Sequence, residues 1–144
     1  MLSIQRLSLD EARELIEGAA EHAGHIGVPM CISVVDESGN LIAFERMDGA
    51  KVLSVSLSAD KAYTAAIARR PTHVYNELVQ SGSLAYGIEN AHGGRFSLVG
   101  GGYPVICDGD IVGGIGCSSG TPEQDMECCR AGLERLLGDE AEYE

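Results

Sequence analysis

Apolar residues return at intervals of three and four along the first part of the chain, at Ala12, Leu15, Ile16, Ala19, Ala23 and Ile26. That spacing lays one stripe along an α-helix. Ser8 stands where an N-cap is needed, Asp10 and Glu11 fall in the first turn where the helix dipole favours acids, and Gly27 and Pro29 stop the run. His22, seven residues after Leu15, lies near the buried stripe, and His25 turns further toward solvent. The pattern then changes. MCISVV (30–35) and LIAFERM (41–47) are short, β-branched or apolar runs separated by the turn-like DESGN, which predicts a hairpin. From Val52 to Arg69 a local strand-like alternation (Leu53, Val55, Leu57) competes with a helical stripe (Val52, Val55, Ala59, Ala62, Ala66). The alanine-rich DKAYTAAIAR extends the stripe too far for a strand, so the segment predicts a helix, ended by Arg70-Pro71.

The second half predicts a short helix in HVYNELVQ, a glycine-punctuated surface segment in SGSLAYGIENAHGG, and three short strands in RFSLV, YPVIC and IVGGIGC. Asp108-Gly109 between the last two marks a tight hairpin, because such turns need positive φ. Thr121 and Gln124 form a capping box with Pro122 at the first helical position, opening a helix to Leu137 with Met126, Cys129, Leu133 and Leu136 on one face. The acidic GDEAEYE is expected to fray. This order predicts a single α+β domain over residues 1–144, with an antiparallel sheet of about five strands flanked by helices.

Composition narrows the partners. A chain of 144 residues closes one core, and a net charge of −12 argues against nucleic acid or an anionic membrane surface. No apolar run approaches the roughly 18 to 20 residues of a membrane span. The first residues lack a basic n-region and an unbroken apolar stretch, so the expected location is the cytoplasm. Cys31, Cys107, Cys117, Cys128 and Cys129 contain no C-x-x-C pair and are expected to be free thiols, the first three on strand-like runs. No protein-only metal site is expected, since no H-x-x-x-H or H-E-x-x-H pair occurs.

Two glycine clusters raise the question of a ligand. GCSSGTPEQD (116–125) is explained by its capping box, and Glu123 and Asp125 would repel a polyphosphate. VGGGYPV (99–105) and IVGGIG (111–116) weaken a sheet, so something should gain from the missing side chains: a bulge, a packed helix or a flat ligand in a slot. Gly100, Gly101, Gly102 and Tyr103 are the candidate contacts of such a ligand. With ten basic residues against twenty-two acids, Arg46 and Arg95 are expected to face one groove beside VGGGYP and clamp a carboxylate. Lys61, His92 and Asp125 are the candidates for proton transfer, with Tyr63 and Glu89 as further partners, although the sequence brings no two within reach. Haem would need an axial ligand, and His22 and His25 are the candidates, ahead of His73 and His92.

LSLDEARELI, VPMCISVVDESGNLIAFERMDGA, the Lys61-Ala62 helix and GGGYPVICDGDIVGGIGCSSGTPEQD, in this order over nearly the whole chain, resemble the GlcG/HbpS family, which is related to the C-terminal domain of PduO-type proteins. The resemblance implies a profilin-like α-β-α fold, homo-oligomeric assembly and haem or a corrinoid as the cofactor. Three readings of function follow. The first is a small-ligand-binding protein of the haem or tetrapyrrole type, its groove between the glycine-rich strands and the first or middle helix. The second is an enzyme acting on a small organic acid in glycolate- or diol-type metabolism, with Arg46 and Arg95 on the carboxylate and Lys61, His92 or Asp125 handling protons. The third is an accessory protein of a metabolic complex.

Overall fold

The computed structural model describes residues 1–144. In chain order it contains α1 (Leu9–Ile26), β1 (Cys31–Asp36), β2 (Leu41–Arg46), α2 (Leu53–Ala68), a short α3 (Tyr75–Leu78), β3 (Gly102–Cys107), β4 (Asp110–Ser118) and α4 (Pro122–Leu137). The strands form one antiparallel sheet in the order β2-β1-β4-β3. α1 and α4 pack together on one face and α2 covers the other.

Local chemistry sets the helix ends. Ser8 and Glu11 satisfy each other's backbone N–H groups at the start of α1, Thr121 and Gln124 do the same for α4, and Gly27 closes α1 in the left-handed region. At the β3–β4 turn both Asp108 (φ 51°) and Gly109 (φ 83°) take positive φ, as a two-residue hairpin requires.

The sheet has four strands rather than about five. Arg95–Val99 was expected to be a strand, but its backbone groups are taken by side chains of other elements. The Ser97 N–H donates to Thr64 Oγ1 at 2.8 Å, and the Val99 carbonyl accepts from Thr72 Oγ1 at 2.7 Å. With those groups spent, the segment runs as an irregular connection beneath α2. The acidic end also departs from expectation. Residues 138–144 fold back instead of fraying, with Ala141 and Tyr143 packed against the main core.

The glycines of β3 and β4 explain how α2 sits so close. A Cβ on Gly116 would stand 2.1 Å from the Ser58 carbonyl oxygen, one on Gly102 2.4 Å from that of Lys61, and one on Gly114 2.5 Å from that of Ala62. The helix backbone therefore rests directly on the sheet. Only small or threadable side chains fit beneath it, and the polar ones are paired: Ser58 with Ser33 at 2.8 Å and Ser54 with Ser118 at 3.0 Å.

Candidate functional site

The expected slot beside the glycine-rich strands is filled by α2. Gly100 lies against Met126 and His73, Gly101 against Asp125, Lys61 and the Cys117 carbonyl, and Gly102 against the backbone of α2. These glycines serve close packing, which corrects the expectation of an open groove. Tyr103 is buried at 1% exposure, so it too faces no groove.

Lys61 and Asp125 are brought together, but away from solvent. Lys61 Nζ donates to Asp125 Oδ2 at 2.7 Å and to the Cys117 carbonyl at 3.0 Å, and Asp125 Oδ1 accepts from the Gly120 N–H at 2.9 Å. Burial pushes the Asp125 carboxyl up from its ordinary value, and Lys61 opposes that shift without cancelling it. A sealed pair of this kind ties α2 to α4 and reaches no substrate.

Arg46 and Arg95 do not share a groove. Arg46 ends the edge strand β2 opposite Cys31 and makes no ion pair. Arg95 is held over α2, its Nε 3.2 Å from Asp60 Oδ1 and its guanidinium 3.9 Å from the Tyr63 ring centroid. The carboxylate clamp is therefore not assembled in this chain. His92, in the left-handed region at φ 55°, places Nδ1 3.0 Å from the Tyr63 hydroxyl, so these two candidates do meet, on the exposed side of α2.

The histidine candidates lie on the opposite face, where α1 crosses α4. Two glycines let the helices touch backbone to backbone: a Cβ on Gly18 would stand 2.9 Å from Gly132 Cα, and one on Gly132 2.5 Å from the Leu15 carbonyl. His22 follows Gly18 by one helical turn and therefore also faces α4. Its side chain is about one-third exposed (34%), and Nε2 lies 3.3 Å from Glu127 Oε2. His25 is 74% exposed, with Nε2 3.9 Å from Glu21, and borders the same depression as His22.

His22, Ala131 and Glu134 are shared by two adjoining surface depressions of about 350 and 250 Å3, the smaller also bordered by Arg130. The cations here differ in availability. Arg135 is committed to Glu14, Glu17 and Glu21. Arg130 makes no ion pair; its Nη1 donates to the Tyr103 hydroxyl at 3.1 Å. Arg130, Glu127 and Glu134 were not foreseen from the sequence; their 3 and 4 spacing on α4 puts them on one face, but only the crossing with α1 reveals which neighbour they meet. A larger cleft of about 840 Å3 between α1 and β2 is lined by Leu9, Ile16, Ala20 and Phe44 among others, with no histidine, cysteine, methionine or tyrosine to ligate iron.

The structure is thus an α+β sheet layered by helices, with the imidazoles of His22 and His25 and the uncommitted Arg130 guanidinium on its helical face. Residues 7–134 match the family model described as haem degrading protein HbpS-like, and the chain belongs to that family. It is 38% identical over 131 residues to a 15.0 kDa protein in the dhaT-dhaS intergenic region of Citrobacter freundii, covering 91% of this chain and 92% of that one. Among solved structures it resembles the Klebsiella pneumoniae protein ORFY (TM-score 0.94, 33% identity, 96% and 95% of the two chains covered). It also resembles PduOC in its haem complex (TM-score 0.87, 35% identity, 90% and 94% covered). No helix is long and apolar enough to cross a membrane.

Proposed function

We propose that this protein binds a tetrapyrrole, haem foremost, on the α1/α4 face, with His22 as axial ligand and Arg130 as the partner of a propionate. The observation that carries this reading is the pairing, on one depression, of an imidazole with exposed surface and a guanidinium that no carboxylate has claimed. Haem iron is commonly held by histidine, and its propionates seek a cation with fork-like donors. The contact between His22 and Glu127 is surface-exposed and gives way at little cost when Nε2 turns to another partner. The PduOC haem complex, at 35% identity, supports the ligand class.

The depressions are shallow, so a macrocycle resting there keeps one face open. A second copy of the chain is the natural cover, and homo-oligomeric assembly belongs to this proposal. The organic-acid enzyme is the weaker reading, because Lys61 and Asp125 are sealed and Arg46 and Arg95 are apart.

A haem titration followed by Soret absorbance tests the reading. The expected result is a ligated band in the unaltered protein and in His25→Ala, its loss in His22→Ala, and binding weakened about tenfold in Arg130→Ala. Equal titrations in all four proteins overturn the site.

A further inference from the structure

On the other face of the sheet, the C-terminal end of α2 borders a cleft of about 560 Å3, which the start of β4 and the first residues of the chain complete. Its apolar walls are Leu2, Ile4, Ile67 and Ile111, and Leu2 and Ile4 leave 92% and 66% of their surface in water. Three charged side chains border the same space, and they differ in availability. Glu37 is committed, since Arg6 Nε donates to its Oε2 at 2.8 Å. Arg69 and Asp110 form no ion pair, either with each other or with any other group. Opposite charges thus border one cleft without meeting.

Arg69 also stands where an arginine is costly. It caps α2 in the left-handed region at φ 61° and ψ 34°, a position that glycine ordinarily takes because a side chain there crowds the backbone. The neighbouring Arg70 lies over the Tyr75 ring, 5.7 Å from its centroid, whereas the Arg69 guanidinium has no partner to offset the strain. Backbone strain of this kind gathers at sites where the side chain is used. The negative end of the α2 dipole lies beside it, so the cleft favours a cation at Asp110 and the helix end and an anion at Arg69.

We propose that this cleft binds a free amino acid with an apolar side chain, its carboxylate on the Arg69 guanidinium, its ammonium on Asp110, and its side chain against Ile4, Ile67 and Ile111. The walls supply the mixture a small-molecule site needs, apolar area with a few polar groups that fix orientation. A planar fork of donors suits a carboxylate, and the ligand's side chain removes exposed apolar surface of Leu2 and Ile4 from water. A ligand with one charge leaves either Arg69 or Asp110 unmet. The site is separate from the α1/α4 face and stands or falls without the tetrapyrrole reading.

Calorimetric titration of the full chain with L-leucine and with L-phenylalanine tests this, with thermal melts read beside it. At least one of the two should bind the unaltered protein, and its affinity should fall about tenfold or more in Arg69→Gly and in Asp110→Asn. The matching amino alcohol, which lacks the carboxylate, and the matching deaminated acid, which lacks the ammonium, should each bind more weakly to a similar degree. Arg69→Gly should meanwhile melt a few degrees higher, because glycine takes the left-handed region without strain, so its lost affinity is not lost folding. Binding of neither amino acid, unchanged affinity in Arg69→Gly, or an amino alcohol or deaminated acid that binds as tightly as the amino acid overturns the proposal.

Discussion

The Lys61 ammonium and the Asp125 carboxylate meet at 2.7 Å with side-chain exposures of 1% and 3%, bracing α2 against α4 at one end of the sheet. Removing one partner of a buried pair leaves the other charge uncompensated, which typically costs about 3–5 kcal/mol. Lys61→Met should therefore lower unfolding stability by that order at neutral pH, as measured by urea denaturation. Lys61→Met with Asp125→Asn should lose less, since no charge is then stranded.

The same pair predicts a pH dependence. Burial raises the Asp125 carboxyl and Lys61 pulls it back, so Lys61→Met raises it further. A folded-state value above the unfolded one, about 3.9 for Asp, contributes stability below the unfolded value and loses it as pH rises through the folded one. The deficit of Lys61→Met should thus be smallest near pH 4 and grow toward neutrality, seen as a urea midpoint that falls with pH more steeply than in the unaltered protein.

Two glycines should respond oppositely to alanine. A Cβ at Gly116 meets the Ser58 carbonyl at 2.1 Å, where helix backbone has to move, so Gly116→Ala should destabilise by about 1–3 kcal/mol or more. Gly24 is exposed on α1 with nothing within 4 Å of an added Cβ. Gly24→Ala should stabilise by up to about 1 kcal/mol through helix propensity. Thermal melts of the pair read both signs.

The thiols should divide by burial. Cys31, Cys117, Cys128 and Cys129 are buried and Cys107 is partly exposed. Burial pushes the Cys31, Cys107, Cys117 and Cys128 thiols up, Cys128 to about 12, so their thiolate is scarce in the native state. Titration with an aromatic disulfide at pH 8 should modify Cys107 first and the other four only on unfolding.

Helix boundaries were legible wherever their signals were local. The Ser8 cap, the Thr121/Gln124 box and the turn at Asp108-Gly109 sit where the sequence places them because all the groups involved lie within four residues. The failures are contacts across the chain. RFSLV reads as a strand until Thr64 and Thr72, about thirty residues upstream, take its backbone groups. The glycines announce that something comes close, but a packed helix and a flat ligand ask for the same missing Cβ. Arg130 lay hidden for a similar reason: α4 gives it a face, and only the Gly18–Gly132 crossing, more than a hundred residues apart in sequence, puts His22 beside that face.

Imidazole rescue tests the central claim most directly. His22→Ala mixed with haem should lack the histidine-ligated Soret band, and adding free imidazole should restore it, because the depression keeps its remaining walls while the iron regains its nitrogen. A His22→Ala protein that keeps the unaltered band and affinity, or a loss that appears in His73→Ala instead, would contradict the assignment of the α1/α4 face.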